Sequence, residues 1–301
     1  MKNLFGPCVL AYVLLTFSQT AIGDGKPTAL PAKATANDGI LLTVMQQELK
    51  RAQDALGKLD PAPYFTSYSV YDQDSTVVFG SQGSIMNSTH ARRRSANVIV
   101  RVGNPTLDNS HGDSRNSAIS SNLLPLENDP NAIARELWQL TYGEYRRAAQ
   151  AYLNAKTRTQ VQAQEEDTSA DFSQEISQTH SEHAEPFSPA DQAANEKMVK
   201  RYSGLLRNYP YIYNAVTFFT TDNTRFYLVS TEGSHIATSH TMVRLAIQAE
   251  TRAEDGMELM RFETFQASNL SGLPSDAEIT ARIETMAKDL KNLRTAPLAE
   301  P

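Results

Sequence analysis

The chain has 301 residues, 40% hydrophobic and 21% charged, with 28 Lys+Arg against 34 Asp+Glu and a net charge of -6. That composition excludes collagen-like, wholly disordered and multispan membrane classes. The pI of about 5.6 excludes the basic footprint of a general phosphate-backbone binder, so no nucleic-acid partner is expected. The length suggests roughly two domains of about 150 residues each, and a single cysteine excludes a disulfide framework.

Lys2 supplies a short positive start, Val9 to Phe17 is an apolar run, and Ala21-Ile22-Gly23 is a small-x-small cleavage signal. Residues 1–23 therefore read as a secretory signal peptide, too short to span a bilayer. Cys8 lies before the apolar run and follows a poor lipobox, so a lipoprotein reading is weak. Cleavage near Gly23 removes it and leaves a mature chain without cysteine. The expected location is periplasmic or extracellular, with no membrane contact once the signal is cleaved.

Residues 24–37 are small, Pro-containing and aperiodic, a flexible leader. A helix is expected from Asp38, because Leu41, Met45, Leu49, Ala52 and Leu56 recur at helical spacing and Gly57 with Asp60-Pro61 stops it. Tyr64–Tyr71 and Thr76–Ile85 read as a hairpin around Asp72-Gln73-Asp74-Ser75, with Ala96–Val102 as a third strand. Asn104 to Asn122 reads as a loop. Asp129-Pro130 opens a long helix with Ile133, Leu137, Leu140, Ala148 and Tyr152 on one face and Trp138, Tyr142, Tyr145 and Ala149 beside them.

Residues 156–187 turn polar and read as a linker. The second half repeats the first. Ser188-Pro189 starts a helix with Ala194, Met198, Tyr202 and Leu205 on one face. Tyr211–Thr220 and Arg225–Ser230 flank a turn at Thr221–Thr224, and a long strand covers about Ile236 to Thr251. Asp255-Gly256 is a hairpin signal, and Ser275 with Glu278 forms a capping box before a helix faced by Ile279, Ile283, Met286, Leu290 and Leu293. The expected fold class is α+β: a first unit at 38–155, a polar linker at 156–187 and a second unit at 188–294.

Chemistry is hard to find among these residues. His180 and His183 are three apart, but they lie in the polar linker, where no ordered ligand scaffold is suggested. His235 and His240 fall on opposite faces of a strand, and His90 and His111 read as isolated residues near loops, expected to be exposed. The sequence contains no HExxH, GxSxG, Walker loop or GxGxxG. Arg92-Arg93-Arg94 is the only basic run, either a grip for an acidic peptide or the exposed lead-in to the third strand.

Several segments together are more specific. They are Pro63-Tyr64-Phe65 with Tyr68-Ser69-Val70, Val100-Arg101-Val102-Gly103 with Asp108-Asn109-Ser110, and Leu137-Trp138 with Tyr145-Arg146-Arg147-Ala148. The second half adds Arg225 through Gly233 and Thr251 through Met257. In this order they resemble the N-terminal region of the TldD/PmbA family of metallopeptidases, in particular its exported bacterial members.

The resemblance implies an α+β region that assists assembly and restricts access of flexible peptides to a catalytic domain carrying HExxxH and zinc. This sequence holds no HExxxH, so no catalytic residue, metal ligand or cofactor is carried onto it. It reaches the family's domain junction at 295–301, which implies a chain truncated before the catalytic domain and inactive alone. A homo- or hetero-oligomer with a catalytic chain and a peptide substrate are the implied partners. Arg92, Arg93, Arg94, Glu232 and Gly233 are the candidate peptide or partner contacts. A freestanding exported module that captures extended peptides by strand addition is the competing reading.

Overall fold

A computed structural model describes residues 36–112, 119–161, 169–182, 187 and 191–297. The expected signal peptide and all of the leader before Ala36 lie outside the described residues. The first helix, α1 (Ala36–Leu56), begins two residues ahead of the expected Asp38. Leu41, Met45, Leu49, Ala52 and Leu56 are buried along its inner face, and the Gly57 N–H closes it on the Gln53 carbonyl at 2.9 Å.

Two long strands follow, β1 (Pro63–Ser81) and β2 (Ser84–Val102). The turn expected at Asp72–Ser75 does not form, because those residues sit in mid-strand opposite Arg94, Arg93, Arg92 and Ala91. A local reading counts four consecutive polar residues as a turn, but cross-strand partners of opposite charge make them acceptable in a sheet. The chain reverses instead at Gln82-Gly83, with φ of 49° and 75°. Two consecutive left-handed residues give the tight turn whose twist suits a hairpin. β2 runs straight through the arginine run and absorbs the expected third strand.

A short strand, β3 (Ile119–Leu123), occupies the end of the expected loop and pairs with β2 from Ser95 to Ile99. Helix α2 (Pro130–Val161) starts as expected: the Asp129 carboxylate accepts from the Asn131 N–H at 2.9 Å. It extends six residues into the expected linker, which also contains β4 (Thr179–Ser181), paired in parallel with His235 to Ala237. Helix α3 (Gln192–Leu205) is capped by Asp191 and buries Asn195, Val199 and Tyr202. That face is turned by one residue from the expected one, and Ala194 is exposed.

Strand β5 (Asn214–Ser230) is again continuous where a turn at Thr221–Thr224 was expected. It is followed by β6 (His235–Arg252) and β7 (Glu258–Ala267). The Asp255-Gly256 hairpin is where the sequence put it: Gly256 has φ of 93°, and the Asp255 carboxylate accepts from the Met257 N–H at 2.9 Å. Helix α4 (Asp276–Leu293) carries the expected capping box at Ser275 and Glu278 and buries Ile279, Ile283, Met286 and Leu290.

The strands form one seven-stranded sheet in the order β3-β2-β1-β5-β6-β4, with β7 also on β6. The fold class is α+β. The two sequence halves meet through β1 and β5, paired antiparallel from Ser67↔Ser230 to Ser81↔Val216. The described residues therefore belong to one compact unit, while each half retains its own apolar cluster.

Both clusters lie on the same sheet face. Tyr68, Val70, Val98 and Val100 pack with Met45, Ile133 and Leu137 under α1 and α2. Val78, Phe219, Leu245 and Ile247 pack with Val199, Ile283 and Leu290 under α3 and α4. Strand side chains alternate, so residues such as Tyr71, Phe79, Phe218 and Phe226 point to the opposite face. No described α-helix covers that face.

Gln82 holds a left-handed conformation that costs a non-glycine residue about 1–2 kcal/mol. Gln82→Asn, a residue that tolerates this region, is expected to stabilise the protein by about 0.5–1 kcal/mol. Urea unfolding followed by circular dichroism would measure it.

Candidate functional site

Between the two apolar clusters, the helix-bearing face is crossed by a belt of charge. Asp72 on β1 lies in register with Arg94 on one side and Arg225 on the other. Its Oδ2 accepts from Arg94 Nη2 at 2.7 Å and from Arg92 Nη2 at 2.8 Å. The side chains of Asp72 and Arg94 are only 3% and 2% exposed, and the second arm of Arg94 donates to the Pro125 carbonyl at 2.9 Å. Two residues along β1, the Asp74 carboxylate meets His90 Nε2 at 3.0 Å. The guanidinium groups of Arg92 and Arg225 lie 5.0 and 4.2 Å from the ring centroid of Phe187, a cation–π arrangement. Leu41, Asp72, Arg92, Arg94, Asn128 and Arg225 line a cavity of about 20 Å³ there, room for one water molecule.

The three arginines predicted as one contact patch are thus divided. Arg94 is buried as a structural ion pair and is unavailable to a partner. Arg92 is half committed to Asp72, with its side chain 35% exposed. Arg93 points to the bare sheet face, where Nη2 donates to Gln73 Oε1 at 3.1 Å. There Tyr71, Gln73, Arg93, Asn97, Ser121 and Leu123 line a shallow groove of about 460 Å³.

Glu232 and Gly233 are not brought to this place. They form the β5–β6 turn beyond Ser230, which pairs with Ser67, five residues along β1 from Asp72. That is roughly 17 Å away. Gly233 has φ of 95° and donates its N–H to the Ser230 carbonyl at 3.0 Å, so the turn itself accounts for the glycine.

Beyond the sequence-predicted set, the structure groups a second polar cluster at the end of β2. Asp108, wholly buried, accepts from Arg101 Nη1 at 2.6 Å, Tyr64 Oη at 2.8 Å and Ser110 Oγ at 2.6 Å. Asp171 takes the Asp108 N–H at 2.9 Å and meets His111 Nδ1 at 2.8 Å. Phe172 next to it packs 4.8 Å from Phe65 and 4.4 Å under the Arg101 guanidinium. His111 is therefore held and mostly buried (14% exposed), contrary to the expectation that it is exposed. His90 lies within β2 and is exposed, as expected. The spacing Asp108-Asn109-Ser110 was visible in the sequence, but its partner Asp171, more than sixty residues away in a polar stretch, carried no local signal.

Burial alone would raise the Asp108 pKa. The hydrogen bonds from Ser110, Arg101 and Tyr64 outweigh it and hold the carboxyl below its ordinary value. Burial first, then the bond to Asp108, pushes the Tyr64 phenol well up. The cluster is thus an ionised carboxylate saturated by donors, which locks the 169–172 segment onto the sheet. Its oxygens are already used, and no group of three or more His, Cys, Asp or Glu among the described residues could hold a metal ion. The described residues do not fit the zinc that the resemblance implies, and no reaction step is derived through it.

The remaining accessible feature is the outer edge of β2. β3 covers only Ser95 to Ile99. Among the described residues no strand pairs with the outer edge from Ser84 to Arg93, where Met86, Asn87, Thr89, His90, Ala91, Arg92 and Arg93 are exposed. An unpaired strand of this length presents a row of backbone donors and acceptors.

No protein-family model and no curated protein sequence matches this chain. Among solved structures it is similar to a Thermotoga maritima protein described as a modulator of a DNA gyrase, at 12% identity and TM-score 0.49, over 85% of this chain and 50% of that one. It is similar to TldE from Thermococcus kodakarensis at 9% identity and TM-score 0.44, over 82% of this chain and 47% of that one. A Bacteroides thetaiotaomicron protein described as a modulator of DNA gyrase gives 10% identity and TM-score 0.48, over 81% and 50%. The chain spans about half the length of these structures. No residue role is taken from them.

Two measurements check the polar clusters. Asp72→Asn strips the charge partner from buried Arg94 and is expected to cost about 3–5 kcal/mol in urea unfolding, whereas joint replacement of Asp72 by Leu and Arg94 by Met is expected to recover most of it. Asp108 has a lowered pKa in the folded state, so its contribution is full above the unfolded value of about 3.9 and fades as pH falls through the folded value. Stability of the wild type should therefore drop more steeply below about pH 4 than that of Asp108→Asn.

Proposed function

We propose that this chain is the non-catalytic, assembly and substrate-gating part of a TldD/PmbA-like zinc metallopeptidase that acts on flexible peptides. In this reading the chain is exported, and a separate chain bearing HExxxH supplies the zinc and the general base. The ordered segments that resemble the family support it, and the 301 residues hold no HExxxH of their own. The observation that carries the peptide-handling role is the outer β2 edge from Ser84 to Arg93, which no strand among the described residues pairs, beside the groove at Arg93. An extended peptide could add there as a further strand, its backbone paired with β2 and its side chains alternating between the two faces. Arg93 would offer positive charge to an acidic side chain or a carboxyl terminus.

The same edge favours one alternative, a freestanding exported module that binds extended peptides and hydrolyses nothing. The two readings separate in one experiment. The full chain is mixed with an HExxxH-bearing chain encoded nearby, and association, peptide binding and zinc-dependent hydrolysis of an unstructured peptide are followed. The first reading expects a stable complex, hydrolysis only in the mixture and weak peptide binding by the lone chain. Failure to associate would overturn it. Micromolar peptide binding by the lone, metal-free chain, unchanged by the second chain, would establish the alternative.

A further inference from the structure

The outer edge of β2 has two unlike ends. β3 stops at Leu123, opposite Ser95, and the Leu124 N–H bonds the Arg94 carbonyl at 2.8 Å. The chain then crosses to the helix-bearing face, where the Pro125 carbonyl accepts from Arg94 Nη1 at 2.9 Å. The free edge is therefore blocked in line just past Arg93. At its other end β2 starts from the tight turn at Gln82-Gly83, and Met86 is 64% exposed. No strand among the described residues lies in line with the edge there.

The bond to Leu124 also fixes which backbone groups face outward. The Arg94 carbonyl points to the outer edge, and along a strand the backbone groups of alternate residues point to the same side. Arg92, His90 and Ser88 therefore turn their N–H and C=O groups outward, spread over about 13 Å. The one register shift near the hairpin falls between Ile85 and Asn87, so it leaves this alternation undisturbed.

Charge separates the two ends as well. From Ser84 to Thr89 no residue is ionisable. In the belt, Arg92, Arg93, Arg94 and Arg225 stand against Asp72 and Asp74, in a chain whose net charge is -6. Both aspartates are buried, whereas Arg93 is exposed and the side chains of His90 and Arg92 are 40% and 35% exposed. A guanidinium carries five N–H donors, and the Arg93 bond to Gln73 uses one of them.

We propose that this edge takes the free carboxyl-terminal end of an extended peptide, added parallel to β2 with its terminal carboxylate on Arg93. This deepens the peptide-handling role proposed above and rests on it. The two ends set the direction. A peptide running with β2 brings its last residue to the blocked, basic end, where a planar guanidinium matches a carboxylate with two bonds at once. A peptide running against β2 brings its ammonium to the same arginines. Parallel pairing is slightly less stable per residue, so the carboxylate decides the orientation. An acidic side chain in mid-peptide would need chain continuing past Arg93, where Leu124 already holds the edge.

The test follows the amide signals of the full, isotope-labelled chain as N-acetylated peptides are titrated to millimolar concentration, which covers weak binding. The peptides have about eight uncharged residues, enough to span the free edge at about 3.3 Å each. The free acid is expected to bind about tenfold more tightly than its carboxamide, the effect of a charge-assisted hydrogen bond, and to shift Ser88, His90 and Arg92. In Arg93→Gln, with unchanged circular dichroism, the acid is expected to bind only as well as the carboxamide. Arg93→Lys should keep part of the preference. A nitroxide on the peptide's amino-terminal end is expected to broaden Met86 and spare Leu123. Three results overturn the proposal while leaving strand addition standing: equal binding of acid and carboxamide, a glutamate-bearing carboxamide that binds as tightly as the acid, or broadening at Leu123. Absence of any shift along β2 overturns the peptide-handling role together with this one.

Discussion

The contact on which this fold turns is the Asp72 carboxylate held by Arg94 and Arg92, with Arg225 in register on its other side. A carboxylate in the centre of a sheet, 3% exposed, is tolerable because two arginines of the neighbouring strand β2 bond it, and a third, Arg225, lies in register with it on β5. Removing either charge would leave the other buried without compensation, a far larger penalty than the pair's net contribution. The consequence is continuity: β1, β2 and β5 each cross the middle of the molecule without turning. Slipping any of them by one residue would put its charges on the bare face and its apolar residues in water. The ion pairs thus fix register where the apolar clusters at either end leave a gap.

That gap shapes the rest of the surface. α1 and α2 cover one end of the helix-bearing face and α3 and α4 the other, and the belt of Arg92, Arg94, Arg225, Asp72 and Asp74 runs between them. The second polar cluster, around Asp108 and Asp171, does a comparable task at the end of β2, tying the 169–172 segment to the sheet through charge and through Phe172. Both clusters spend their charged groups on the fold. Among the described residues, the outer β2 edge from Ser84 to Arg93 lies outside both clusters and pairs with no strand.

The residues that resemble a metallopeptidase family divide along the same line. Asp108, Ser110 and Arg101 belong to the locking cluster, Gly233 and Gly256 to turns with positive φ, and Tyr145 to the core under α2. Their physical reasons are therefore packing and turn geometry, which a fold can keep whether or not its chain performs chemistry. The function proposed for the chain rests instead on accessible backbone along the outer edge of β2.

The helices were legible because their information is local. The stripe Leu41–Leu56, the cap at Asp129 and the Ser275–Glu278 box each lie within a few turns of the chain, and Asp255-Gly256 names its own hairpin. The α+β class follows from their order. The polar runs at Asp72–Ser75 and Thr221–Thr224 were misleading for the opposite reason. Each looks like a turn alone and becomes a strand only when facing the other, about 150 residues away. By itself the sequence determined which faces are apolar and where helices start. Only the tertiary structure decided that Arg92, Arg93 and Arg94 have three different fates, that Asp171 completes the Asp108 cluster, and that one sheet joins both halves. Pairing between distant strands has no signature within either strand. It is settled by which opposite charges and apolar rows can be buried together.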